Sequence, residues 1–126
     1  MNDLIGLKRA WGAYPGDGSG QADCCALAAE VHKRLGYWDY GPELKNLFAK
    51  YNDETLPKSF IAKWLLKNAQ RLPKPELHAV VLLPSNGVGA LGTVLGEDDV
   101  LFIAPSGCVV RGPLPANYGW YFRMKK

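Results

Sequence analysis

Asp23-Cys24-Cys25-Ala26-Leu27-Ala28-Ala29-Glu30-Val31-His32-Lys33-Arg34-Leu35-Gly36 is the stretch on which the fold turns. Asp23 is a favourable N-cap and Gly36 a favourable stop, which predicts a helix from Cys24 to about Leu35. Leu27, Val31 and Leu35 recur every four residues, with small Ala26, Ala28 and Ala29 between them. That pattern describes a closely packed, largely buried helix. Cys25 is expected to point about 100° around the helix from Cys24, into core. His32 reads as an ordinary helix-surface residue.

Upstream, Gly12-Ala13-Tyr14-Pro15-Gly16-Asp17-Gly18-Ser19-Gly20 holds four glycines and a proline, which makes it a loop. Before it, Asp3 is expected to cap a short helix through Trp11, with Leu4, Leu7 and Lys8 at helical spacing. Downstream, Pro42 opens a helix through Lys50. A further helix is expected from about Lys58 to Gln70, with Ile61, Trp64, Leu65 and Asn68 on one stripe, ended by Pro73 and Pro75.

The rest reads as strands. His78 to Leu83 is an apolar run ended by Pro84 and the turn Ser85-Asn86-Gly87. Gly89 to Leu95 and Val100 to Ala104 are joined by Gly96-Glu97-Asp98-Asp99. Pro105-Ser106-Gly107 leads into Cys108 to Arg111, and Tyr118 to Met124 closes the set. Helices first and hairpin-linked strands after predict an α+β class, in one domain over 1–126, with an antiparallel sheet built from residues 78–124.

Composition narrows the function. The chain has 126 residues, 48% of them hydrophobic and 21% charged, which excludes general disorder. No apolar run approaches ~18 residues, so no membrane span is expected. The N-terminus has neither a basic n-region nor an apolar h-region, so no signal peptide is expected and synthesis in the cytoplasm is the reading. The net charge of +3 is mild, and nucleic acid is not an expected partner. Lys63, Lys67, Arg71 and Lys74 form a regular basic stripe that reads as a solvated helix face. Trp38, Tyr40, Trp120 and Tyr121 read as core or rim. Gly87-Val88-Gly89 is too short for a phosphate loop. Three cysteines, two adjacent, imply no disulfide framework, and no second cysteine pair or histidine pair supports zinc. No metal and no cofactor are expected, and Cys108 is read as strand core.

Cys24 is the sharpest candidate for chemistry. It follows a glycine-rich loop at the first turn of a buried helix, where free N–H groups favour a thiolate and could hold an oxyanion. A cysteine nucleophile needs a base. His32 lies eight residues along the same helix, about 12 Å away, and cannot serve. His78, at the start of the first long strand, is the remaining histidine.

Trp11-Gly12, the glycine-rich loop, then Asp23-Cys24-Cys25 heading a helix that ends Arg34-Leu35-Gly36 resembles the nucleophile block of NlpC-type papain-like cysteine peptidases. Relatives of that family are frequent in bacteriophage tails. Gly89 to Gly96 resembles the strand that carries the family's histidine, Val100 to Val110 the hairpin after it, and Trp120 to Arg123 the closing strand. The resemblance implies a papain-like fold with Cys24 at the nucleophile position. It places the family histidine at Ala90 and the polar third residue at Ile103, both apolar here. It thereby implies a catalytically depleted domain acting as a structural or adaptor part of a phage tail, virion-associated, with other protein subunits as partners. The alternative is an active cysteine amidase or endopeptidase cleaving peptidoglycan stem peptides, with Cys24 as nucleophile and His78 as base. A third reading is a plain binding module with no cell-wall link.

Overall fold

The computed structural model describes residues 1–52, 54–57, 59–83, 90–114 and 118–125. Three helices, α1 (Cys24–Arg34), α2 (Gly41–Lys50) and α3 (Phe60–Asn68), precede most of the strands. A short parallel pair, β1 (Lys8–Arg9) and β2 (Gln21–Ala22), lies before them. The main sheet is antiparallel and holds six strands: β3 (Ala69–Leu72), β4 (Val80–Leu83), β5 (Ala90–Gly96), β6 (Asp99–Ile103), β7 (Val109–Gly112) and β8 (Trp120–Met124). Their spatial order is β3-β8-β4-β5-β6-β7. The α+β class with helices packed on a C-terminal antiparallel sheet is therefore observed, and α1 lies against β5.

Three local expectations are corrected. The helix through Trp11 does not form: a single 3₁₀ turn spans Asn2–Leu4, Gly6 takes φ +91°, and the chain continues as β1. Backbone partners outside the segment decide this, because Arg9 N donates to Gly107 O at 2.7 Å and Gly6 N to Val109 O at 2.9 Å. The helix expected to reach Gln70 ends at Asn68, and residues 69–72 become β3, paired with β8 from Ala69↔Met124 to Leu72↔Tyr121. Arg71 therefore sits on a strand, and the basic stripe is not one helix face. His32 is not on the surface; it is 2% exposed. The turn at 84–87, Gly87-Val88-Gly89 and Lys58 lie outside the described residues.

Period-two alternation divides the sheet into two apolar faces. Val80, Leu91, Phe122 and Ala69 pack with Cys24, Cys25, Tyr40, Leu44, Ile61 and Leu65 on the helix side. Val81, Leu83, Val94 and Val100 pack on the opposite side with half-buried Leu72, Phe102 and Tyr121. Leu4, Ala22, Leu27, Val31, Leu101 and Val109 form a third cluster, which takes in Leu27 and Val31 of α1. Each fully buried aliphatic side chain of this size contributes about 1.5–3 kcal/mol. The backbones of β8 and β4 meet closely at Gly119, where an added Cβ would lie 2.7 Å from Val81 Cγ2 and 2.8 Å from Leu82 O.

Candidate functional site

The site is built from the start of α1 outward. Asp23 Oδ1 accepts from Cys25 N at 2.9 Å, the N-cap that the sequence implies. Asp23 N in turn donates to Ala13 O at 2.8 Å, which ties the glycine-rich loop to the helix start. The loop is anchored on its other side by Trp11, whose indole Nε1 donates to Tyr51 O at 3.0 Å and whose ring meets Phe48 edge-on at 5.1 Å. Gly12 at φ +74° turns the chain there, beside the Phe48 ring. Trp11-Gly12 thus fixes the loop against α2.

Cys24 and Cys25 are 8% and 5% exposed, both within the main core cluster. Helical rotation separates their Cβ directions, yet their side chains converge. Interaction with the neighbouring Cys24 thiol, then burial, holds the Cys25 thiol far above its ordinary range. Asp23 is also raised, by burial, against the opposing effect of the N–H it accepts from Cys25. Cys25 faces a small apolar cavity of about 40 Å³ lined by Tyr40, Leu44, Leu47, Ile61, Trp64 and Leu91. That is room for a water or a methyl group, not for a peptide.

Each sequence candidate has a definite place. Ala90 is the first residue of β5, half-buried, and touches both the helix-side and the opposite cluster. Alternation groups it with Gly92 and Val94, whose side of the strand faces Val81 and Phe102. Leu91 is the β5 residue that reaches the Cys25 cavity. Ile103 ends β6, half-buried between two core clusters and paired with Val109. Cys108 lies outside this group, half-buried in a bridge to Lys8.

His78 is at the other end of α1. Its backbone N donates to Val94 O at 2.8 Å, and its carbonyl accepts from His32 Nε2 at 2.9 Å. His32 is about 12 Å along the helix from Cys24, so the structure does not bring His78 to the cysteines. The His78 ring instead meets the Tyr37 hydroxyl through Nδ1 at 2.9 Å, with the residue at φ +65°.

Sequence reasoning missed the group around His32. A carbonyl can only accept, so the bond to His78 O puts the proton on His32 Nε2. Nδ1 of the neutral ring then accepts from the Tyr40 hydroxyl, 2.9 Å away. Helical spacing could not reveal this, since both partners come from other elements.

Chemically, the arrangement supplies a nucleophile type at a helix N-terminus and, among the described residues, no histidine placed to protonate a leaving amine there. Comparison with protein-family models, with curated proteins and with solved structures finds no match for this chain.

Proposed function

We propose that this chain is a catalytically depleted NlpC-like, papain-like domain that works as a structural or adaptor component of a larger assembly, of the bacteriophage-tail kind, and contacts other protein subunits. The observation that carries the reading is the pairing of a buried cysteine at the head of a sheet-packed helix with histidines grouped at that helix's far end. The nucleophile position of the resembled family is kept while the imidazole that would activate it is not within reach. Ile103, to which the resemblance assigns the polar third residue, is apolar and supports the same reading; Ala90 shares the β5 face of Gly92 and Val94, away from the Cys25 cavity, and lends it no weight. Loss of general acid–base help alone removes ~10²–10⁴-fold in rate. Amide cleavage suffers further, because an unprotonated amine leaves poorly.

The test is incubation of the purified protein with peptidoglycan stem peptides, alongside Cys24→Ala, and alkylation of the native thiols as a function of pH. The expected result is no cleavage and slow labelling below about pH 8. Cleavage that disappears in Cys24→Ala would overturn the proposal in favour of a cysteine amidase or endopeptidase. Recovery of the chain from purified virions would support the tail assignment, and its absence there would leave a plain binding module.

A further inference from the structure

We propose that Asp23, Cys24 and Cys25 together bind one thiophilic divalent cation of the zinc and cadmium class. The inference is independent of the scaffold reading, because it concerns coordination and not hydrolysis. Its basis is a convergence that helix geometry does not by itself supply. One ligand atom from each of the three buried residues lies within 4.8 Å of the other two. Ligands around a tetrahedral zinc, with metal–sulfur bonds of ~2.3 Å, lie roughly 3.8 Å apart.

The donor set selects the metal. Two sulfurs and one carboxylate oxygen suit a soft or borderline d¹⁰ ion, whereas magnesium and calcium take oxygen shells. Three protein ligands leave a fourth position for water. Asp23 Oδ1 is oriented by the Cys25 N–H, and the Ala26 and Gly12 N–H groups also act on the carboxylate, which leaves it about one of its roughly four lone-pair sites for a cation. Two thiolates neutralise the dication, and the Arg9 charge acts on both Asp23 and Cys25, offsetting the third ligand's charge. The balance is simple. Each thiol loses one proton to solvent as its metal–sulfur bond forms, so one cation enters and two thiol protons leave, with no change of oxidation state. Affinity therefore falls as pH falls.

The experiment uses the full chain carrying Cys108→Ser, with both remaining thiols verified as reduced. Cadmium is titrated in and thiolate-to-metal charge-transfer absorption and proton release are recorded, followed by competition with zinc against a chromophoric chelator. The expected result is one equivalent bound with about two protons released, and a zinc-dependent rise in the unfolding midpoint. Cys24→Ser or Cys25→Ser should lower affinity about a hundredfold. Asp23→Asn, which keeps the N-cap, should lower it roughly tenfold. Circular dichroism establishes that each variant folds. Absence of one-equivalent, proton-releasing binding in the Cys108→Ser protein overturns the proposal without recourse to any other variant. Binding undiminished in a folded Cys24→Ser/Cys25→Ser protein overturns it equally.

Discussion

His32 Nδ1 lies 2.9 Å from the Tyr40 hydroxyl, joining the last turn of α1 to the residue that precedes α2. The imidazole is neutral in this arrangement, and burial holds its pKa below the ordinary 6.5. Protonation therefore favours the unfolded chain. Its contribution to stability is complete above about pH 6.5 and declines as pH falls from there toward the lowered folded value. Urea unfolding between pH 5 and 8 should show stability falling on the acid side in the parent. His32→Gln should flatten that part of the profile while lowering stability at neutral pH.

Tyr40→Phe removes the donor to His32 Nδ1 and leaves a buried acceptor unpaired. A loss of about 1–3 kcal/mol is expected by chemical denaturation. The pH profile should persist in this variant, because the imidazole remains buried. Its disappearance would show that Tyr40, and not burial, sets the titration.

Asp23→Ala should lower stability by about 1 kcal/mol through loss of the cap on Cys25 N. Asp23→Asn should not. Burial raises the Asp23 pKa, so ionising it near neutral pH opposes folding, and the amide removes that charge while still accepting the N–H. A thermal midpoint for Asp23→Asn at or above the parent's, with Asp23→Ala below both, is the expected order.

Two glycine substitutions should behave oppositely. Gly119→Ala places a Cβ 2.7 Å from Val81 Cγ2 and 2.8 Å from the Leu82 carbonyl, an overpacking worth about 1–3 kcal/mol. Gly112→Ala meets nothing within 4 Å and should be close to neutral. Denaturation midpoints of the two single variants decide this.

Neighbouring leucines on α3 provide a packing control. Leu65 is fully buried and Leu66 is 62% exposed. Leu65→Ala should cost about 2–5 kcal/mol and Leu66→Ala less than about 0.5 kcal/mol.

The helix of residues 24–34 was legible because its signals are local: Asp23, Gly36 and the four-residue apolar spacing all sit within fourteen consecutive positions. The strands after residue 78 were legible for the same reason. β3 was not, since Pro73 and Pro75 explain a helix stop equally well, and the strand exists through pairing with residues 121–124, some fifty positions later. The segment after Asp3 carries helical spacing, yet its backbone finds better partners in Gln21, Ala22, Gly107 and Val109. At the candidate site, Cys24 could be named from its cap and loop. The approach of its sulfur to within 4.8 Å of that of Cys25 could not, because torsions beyond Cβ are invisible to a helical wheel. His32 was misplaced because its partners, Tyr40 and the His78 carbonyl, are supplied by the tertiary fold.

The pairing of residues 6–9 with 107–109 also imposes an order in time. During synthesis the N-terminal segment emerges long before Gly107 and Val109, so it has no partner on β7 while α1, α2 and α3 are being made. Closing that contact spans about a hundred residues, the kind of non-local step that slows folding. Until it closes, one edge of the sheet stays open and the cluster of Leu4, Leu27, Val31 and Val109 stays incomplete. A ribosome-bound chain halted before residue 107 would lack β7 altogether, so the first ten residues can close onto this edge only once the β6–β7 hairpin exists.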